Sequence, residues 1–357
     1  MLSWPIPACG TRRYRWGGTM RFCHVIWLVF LAALVPVQST LHAQDIRISH
    51  QWAELTDARD RAANIFAQEA ELRAPELKFR IYPNSSLNIK PRDLLDALQT
   101  EKVEMAIFPL VLAAPKVPEF SLAGLPALVP NFAAAQALKR SEIYDMLQSI
   151  AQENGIRILA LLWNPGGFLA KGREISGPRS VQSLRIRVSD HLFGLMLKSA
   201  DASVTTIPSD EIHTALKSGL LDAVVTTYET MLSHKLYEEV KFATVGNPSL
   251  FMGFSPLVMS LATWKRLTPG QQAAVEEAAT IADSHYAVAQ RDVERRLVAA
   301  LRSAGVAVRR MTREDYLAWL QLAQQTAWVE YMRINPRSRD MLMALVRNFL
   351  DTVDDAK

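Results

Sequence analysis

Two stretches of this chain can be laid over one another, and that self-similarity limits the fold more than any other feature. Asp96-Ala-Leu-Gln-Thr-Glu-Lys-Val-Glu-Met-Ala-Ile107 matches Thr214-Ala-Leu-Lys-Ser-Gly-Leu-Leu-Asp-Ala-Val-Val225. Ala-Leu recurs at the same place in each, followed by an acidic residue (Glu104, Asp222) and then an apolar run. Each copy reads as a helix end, a tight turn and a strand buried on both faces. Gly219 suits the left-handed position after a helix, and Glu101 fills the matching place without glycine's freedom. Because αβ units share one hydrophobic pattern, coincidence is the plain alternative. The informative reading is two similar lobes, each built around one copy.

The rest of the chain agrees with that architecture. Ile46-Arg-Ile-Ser reads as a short strand, and Thr56-Asp57 opens a helix with Ala62, Ile65, Phe66 and Ala70 on one face. Leu77 to Tyr82 alternates at period two and stops at the turn cluster Pro83-Asn84-Ser85-Ser86. A helix over Pro91 to about Thr100 precedes a buried strand, Met105 to Phe108. Strands alternating with helices indicate α/β architecture with mostly parallel sheets. Chain crossings between lobes are expected near Leu161–Lys171 and Phe251–Ser260. Thr268-Pro269-Gly270-Gln271 starts a helix that runs with few breaks to about Ser303, long enough to brace both lobes.

The beginning of the chain has a different character. Arg12, Arg13, Arg15 and Arg21 precede an apolar run from Val25 to Val37, then polar residues and Ala43. That order matches a secretory signal, and the run is too short to span a bilayer. An uncleaved amphipathic anchor is the alternative, and Met20 is a second possible start. Without residues 1–43, 314 of the 357 residues remain, carrying 36 basic and 36 acidic side chains. The net charge of +4 therefore belongs to the signal, and bulk charge does not favour nucleic acid. Both cysteines, Cys9 and Cys23, also leave, which excludes thiol catalysis and thiolate metal sites.

No nucleophile elbow, phosphate loop, dinucleotide fingerprint or zinc motif occurs. Of the five remaining histidines, His50, His191, His213, His234 and His285, none has metal-ligand spacing. Asp57 and Asp60 read as acids favouring a helix start. Nothing asks for an enzyme, a metal or a cofactor. The one positive signal is Leu184-Arg-Ile-Arg-Val188, with Arg185 and Arg187 on one strand face. Such an arginine suits carboxylate recognition through its planar fork, or an internal ion pair with Asp190 or Asp222.

With those residues in view, the chain resembles the extracytoplasmic solute receptors of TRAP transporters, the DctP type. The resemblance rests on LRIRV at 184–188, Ala202 to Pro208 and EIHTALKSGLLDAVVTTYET at 211–230. Tyr82 to Leu87, Leu95 to Thr100, Val117 to Phe120, Trp163 to Phe168 and Thr263 to Pro269 extend it. It implies an α/β, two-lobed periplasmic binding protein whose lobes are joined by crossing strands and a long bracing helix. It also implies delivery of an organic acid to membrane permease subunits driven by an ion gradient, with Arg187 as the carboxylate anchor. Departures exist: Asp222-Ala223 leads to Val225-Thr226-Thr227-Tyr228 where many relatives carry an asparagine, and Asn88 and Glu101 replace glycines. They put a sialic-acid or four-carbon dicarboxylate preference in doubt.

The expected organisation is a signal peptide at 1–43, lobe I at 44–162, lobe II at 163–250, and a return to lobe I with the C-terminal helices at 251–357. Arg187 leads the expected ligand contacts. Trp52, Ser85, Ser86, Phe108, Trp163, Thr227, Tyr228 and Phe251 are expected as cleft walls near strand ends or crossings. Aromatic walls suggest a 2-oxo or aromatic monocarboxylate, bound by a periplasmic monomer or dimer. A ligand-sensing partner of a membrane signalling receptor is the alternative function.

Overall fold

The computed structural model describes residues 44–354; the expected signal peptide lies outside the described residues. Ten strands form one continuous sheet: β1 Gln44–Ser49, β2 Leu77–Tyr82, β3 Met105–Ile107, β4 Ile156–Ala170, β5 Arg185–Val188, β6 Ser203–Thr206, β7 Ala223–Thr227, β8 Phe242–Val245, β9 Phe251–Ser260 and β10 Ala307–Arg310. Around them pack α1 Ala58–Arg73, α2 Leu94–Gln99, α3 Phe132–Leu138, α4 Glu142–Glu153, α5 His191–Lys198, α6 Ile212–Lys217 and α7 Tyr228–Ser233. The C-terminal part adds α8 Leu261–Arg266, α9 Pro269–Arg291, α10 Val293–Ser303, α11 Arg313–Gln325, α12 Ala327–Ile334 and α13 Pro336–Asp354.

The strand order β2-β1-β3-β9-β4-β7-β5-β6 makes two lobes from one sheet. Within each lobe the pairing is parallel: β1 with β2 and β3 in the first, β5 with β6 and β7 in the second. The antiparallel seams come from the crossing strands, β4 and β9. β4 is 15 residues long; Ile156 to Gly166 pairs with β9, and Gly166 to Ala170 pairs with β7. One strand thus serves both lobes and changes partners at Gly166. The backbone there admits no side chain: a Cβ on Gly166 would meet the Phe251 ring at 2.1 Å, and one on Gly167 the Thr244 carbonyl at 2.4 Å.

The repeat read from the sequence is a structural repeat, bond for bond. α2 closes with the Thr100 amide on the Asp96 carbonyl at 2.9 Å, and α6 with Ser218 on Thr214 at 2.9 Å. Val103 then bonds Ala97, as Leu221 bonds Ala215, both at 3.2 Å. Between them Glu101 and Gly219 both take left-handed backbone, at φ of 54° and 75°. Glutamate accepts there the conformation that glycine adopts freely.

The bracing helix is interrupted. The expected run from Thr268 to Ser303 begins as foreseen, with a reciprocal Thr268–Gln271 capping box and Pro269 in its first turn. It stops at Arg291, and Asp292 separates α9 from α10. α9 packs in the core of lobe I, where alanine-rich faces let it lie close to α1 (Ala62, Ala63 and Ala70 with Ala278, Ala279 and Ala282). α10 buries Val293, Leu297 and Leu301 in the core of lobe II. The break at Asp292 lets each half follow its own lobe.

Candidate functional site

In parallel sheets of this kind ligands sit beyond the carboxyl ends of the strands. In lobe II that end of β5 carries Arg187. Alternation along β5 puts Arg185 and Arg187 on the same face, but they end differently. Arg185 is exposed and forks onto Asp222, with Nε and Nη2 at 2.9 and 2.6 Å, while its own amide bonds the same carboxylate at 2.9 Å. The internal ion pair left open by the sequence therefore belongs to Arg185.

Arg187 is only 4% exposed. Its Nε donates to the Ile207 carbonyl at 2.9 Å and Nη1 to the Val225 carbonyl at 3.3 Å. A guanidinium has five N–H donors, so most of this fork is unspent, and among the described residues no carboxylate forms an ion pair with it. Burial pulls its pKa down to about 10, against the opposing charges of Asp190 and Asp210. At neutral pH it remains a buried cation held by two carbonyl dipoles, an arrangement that is costly unless an anion arrives.

Asp190 is fixed elsewhere. One oxygen caps α5 through the Phe193 amide at 2.9 Å, and the other accepts the Ser189 hydroxyl at 3.0 Å. Burial pushes this carboxyl upward. It lies against Gly124 of lobe I, where a Cβ would approach its Oδ2 at 3.0 Å.

Opposite, the carboxyl end of β1 leads into a buried polar cluster. His50 Nε2 meets Asp60 at 3.1 Å, and Nδ1 accepts the Trp52 amide at 3.3 Å. Asp57 and Asp60 sit at a helix start, as read, and do more than favour its dipole. Asp57 caps α1 through the Arg59 amide and takes that residue's fork at 2.7 and 2.7 Å. Arg59 lies 4.0 Å over the Trp52 ring and reaches Thr230 Oγ1 of lobe II at 3.2 Å. Nearby, the Ala58 amide bonds Glu229 Oε1 at 2.8 Å, and Gln290 and Arg296 hold Oε2 at 3.2 and 3.2 Å. Side chains of α1, α7 and the α9–α10 junction thus interlock.

The expected wall residues divide into two groups. Thr227, at the end of β7, caps α7 and bonds Thr230 Oγ1 at 2.9 Å. Trp52 is fully buried beside Arg59, with its indole N–H unpartnered. Ser85 and Ser86 follow β2; Ser85 has φ of 53°, and its amide bonds the His50 carbonyl at 2.9 Å, lacing the β1 and β2 ends together. These remain near the strand ends.

The four aromatics of the second group are packed among core residues. The Tyr228 hydroxyl accepts the Gly246 amide at 2.7 Å and donates to the Gly246 carbonyl at 3.1 Å, so the ring belongs to the core of lobe II. Trp163 stacks edge-on against Phe254 with centroids 4.8 Å apart and borders an apolar gap of about 10 Å³ among leucines. Phe108 is 1% exposed in that same apolar core. Phe251 covers Gly166 and meets Phe193 edge-on at 5.4 Å. Each fills packing space at a crossing or strand end, for period-two alternation alone does not tell a core face from a cleft face.

Arg59 and Thr230 were missed by sequence reasoning. The signal was present in Asp57-Ala58-Arg59, where an acid and a base at i, i+2 can fork only if the acid stands outside the helix.

Residues 48–333 match the family model described as bacterial extracellular solute-binding protein, family 7. A solute-binding protein of Albidiferax ferrireducens is 30% identical over 80% of this chain and 86% of its own length. A TRAP periplasmic solute-binding protein of Rhodoferax ferrireducens, solved with bound malonate, aligns with a TM-score of 0.83 at 28% identity over 86% of this chain and 99% of that one. One from Sulfitobacter, solved with β-D-galacturonate, aligns at 0.78 and 21% identity over 85% and 99% of the two chains. The two lobes, the shared crossing strands and these matches place this chain in family 7 of the bacterial extracellular solute-binding proteins, the DctP-type receptors.

Proposed function

We propose that the protein captures a small organic acid between its lobes, with Arg187 gripping the carboxylate, and delivers it to the membrane subunits of a TRAP transporter in the periplasm. The observation that carries this reading is a buried guanidinium, anchored by two carbonyls and without a carboxylate ion pair among the described residues. Relatives solved with malonate and galacturonate support a carboxylate as the missing partner. In this reading lobe I comprises residues 44–162, lobe II 163–250, and 251–357 returns across the crossing to brace both.

The aromatic-acid preference loses its basis once Tyr228, Trp163, Phe108 and Phe251 are assigned to cores. Thr227, Ser85 and Ser86 remain as neighbours, which suits a compact acid bearing further oxygen groups, oxo, hydroxy or carboxyl. A thermal-shift screen against an organic-acid library tests this. A ligand at about 100 times its dissociation constant stabilises by about 2.7 kcal/mol. Arg187→Ala should abolish the response to every hit; normal binding by that variant would overturn the assignment.

A further inference from the structure

The first amides of a helix have no partner within the helix itself. In α1 the amide of Arg59 is capped locally by Asp57 at 2.9 Å, whereas that of Ala58, one residue earlier, donates across to Glu229 Oε1 of α7 at 2.8 Å. Arg61 Nη2 stands 3.9 Å from the same oxygen. Glu229 is 1% exposed and lies in the first turn of α7, so its carboxylate meets the N-terminal ends of two helices, one in each lobe. Its other oxygen is held from the break in the bracing helix, by Gln290 of α9 and Arg296 of α10, both at 3.2 Å. Beside it Arg59 reaches Thr230 Oγ1 at 3.2 Å, and that oxygen accepts the Thr227 hydroxyl at 2.9 Å. Thr227 ends β7 two residues after Val225, whose carbonyl accepts from Arg187. Bonded contacts and one strand end therefore join the place where the lobes meet to the buried guanidinium.

We propose that Glu229 and the first turn of α1 form a latch, a positioning pair that sets the affinity and residence time of the bound acid without touching it. The proposal rests on the receptor reading above and adds to it the residues that hold the lobes shut. Parting the lobes to admit a solute would separate α1 from α7 and break the bond from Ala58 to Oε1. Oε2 would keep Gln290 and Arg296, so the carboxylate stays in position to re-engage when the lobes meet again. A hydrogen bond to a charged group this buried favours the shut arrangement by about tenfold or more. Apparent affinity falls by the factor by which loss of the latch lowers the population of the binding-competent shape. Because the latch does not meet the ligand, that factor is common to every acid, and it appears as faster dissociation.

Ala58→Pro tests the donor. Asp57 before it already has the extended backbone that precedes proline, at φ of −83° and ψ of 138°, and proline suits the first position of a helix. The variant removes the amide hydrogen and places ring atoms where the carboxylate stands. Glu229→Ala tests the acceptor. Calorimetry and stopped-flow dissociation are run with malonate, L-malate, pyroglutamate and the strongest hits of the acid screen. Each variant should weaken every acid that binds by one common factor of about tenfold, with faster release. Glu229→Ala added to Ala58→Pro should weaken binding no further, since both act on one contact. The chain has no cysteine after Cys23, so spin labels at Leu72→Cys on α1 and Leu220→Cys after α6, both exposed, report the distance between lobes. Without acid, Glu229→Ala should populate longer distances than the wild type, and saturating acid should restore the short one. If Glu229→Ala keeps wild-type affinity, release and distances, or its effect differs from acid to acid, or the two substitutions add, the latch is wrong and the Arg187 reading survives. If no acid in a broad library binds the wild type, the receptor reading falls and takes this one with it.

Discussion

Two places along β1 from Arg47 stands Ser49; two places along β5 from Arg185 stands Arg187. The comparison is close, because the surroundings correspond. Arg47 forks onto Glu104 with its amide, Nε and Nη2 at 2.9, 2.9 and 2.8 Å, as Arg185 forks onto Asp222 with the same three groups. Ile48 pairs with Met105 as Ile186 pairs with Ala223, and Ser49 faces Ala106 as Arg187 faces Val224. An arginine that recurs with its acid in both lobes is a scaffold clip tying a strand to its neighbour. Arg187, buried and without a carboxylate ion pair among the described residues, has no counterpart in the other lobe, and it is the one the proposed function assigns to a ligand.

The largest effect that could break this comparison is exchange of the two arginines' roles. Arg187→Ala should weaken acid binding by about 2–5 kcal/mol, as for a desolvated charge pair losing one member. Its ligand-free melting temperature should not fall, since an unpaired buried cation is removed. Arg185→Ala should leave calorimetric affinity unchanged; loss of binding there and not at Arg187 would reverse the assignment. Next, Tyr228→Phe should cost about 1–3 kcal/mol by stranding the buried Gly246 amide and carbonyl. Chemical denaturation would show that loss, and affinity should hold, separating lobe II packing from its site.

The clips themselves sharpen the comparison through pH. Burial works to raise the Glu104 carboxyl, but the bonds from Arg47 outweigh it and hold it below the usual value. A depressed carboxyl stabilises the fold above its unfolded pKa of about 4.3 and loses that contribution as pH falls through the folded value. Glu104→Gln should therefore cost about 1 kcal/mol at pH 7, allowing for solvent screening, and progressively less as pH falls through the depressed folded value. Asp222→Asn should show the same shape with smaller amplitude, because its pair is more exposed: 49% and 31%, against 35% and 13% for Arg47 and Glu104. Smallest is the turn. Gly219→Ala should destabilise by about 1 kcal/mol, and Glu101→Gly should stabilise by less, since it relieves a left-handed glutamate but gives up its pairing with Arg266. Equal and same-signed changes at the two positions would show that the turns are not equivalent.

Much of the architecture was legible because it is written in local patterns. The period-two run Leu77–Tyr82, the capping box at Thr268 and the matched Ala-Leu motifs each name a structure that depends on a few neighbours in the chain. The break at Asp292 was not legible, since both helical halves keep an apolar face and only their packing against different lobes separates them. At the candidate site, the sequence singles out Arg185 and Arg187 together, and their distinction depends on where Asp222 lies, a contact 37 residues away. The aromatics could not be sorted from sequence because a large ring near a strand end serves packing and recognition with the same residue type. Arg59 escaped notice because Thr230, its partner from lobe II, lies 171 residues away in the chain.

A strand held in common by both lobes behaves as a torsion bar. A swing of one lobe about Gly166 would twist β4 without unzipping its rungs, so an open and a closed shape would keep the same backbone ladder. Their difference in free energy would then lie in contacts between the lobes, such as Asp190 on Gly124, Arg59 on Thr230 and Ala58 on Glu229. Against so small a difference, a solute of a few carbon atoms has enough preferential affinity to tip the balance. In the proposed role, the same economy would let a transporter reverse the swing and empty the receptor without unfolding any part of it.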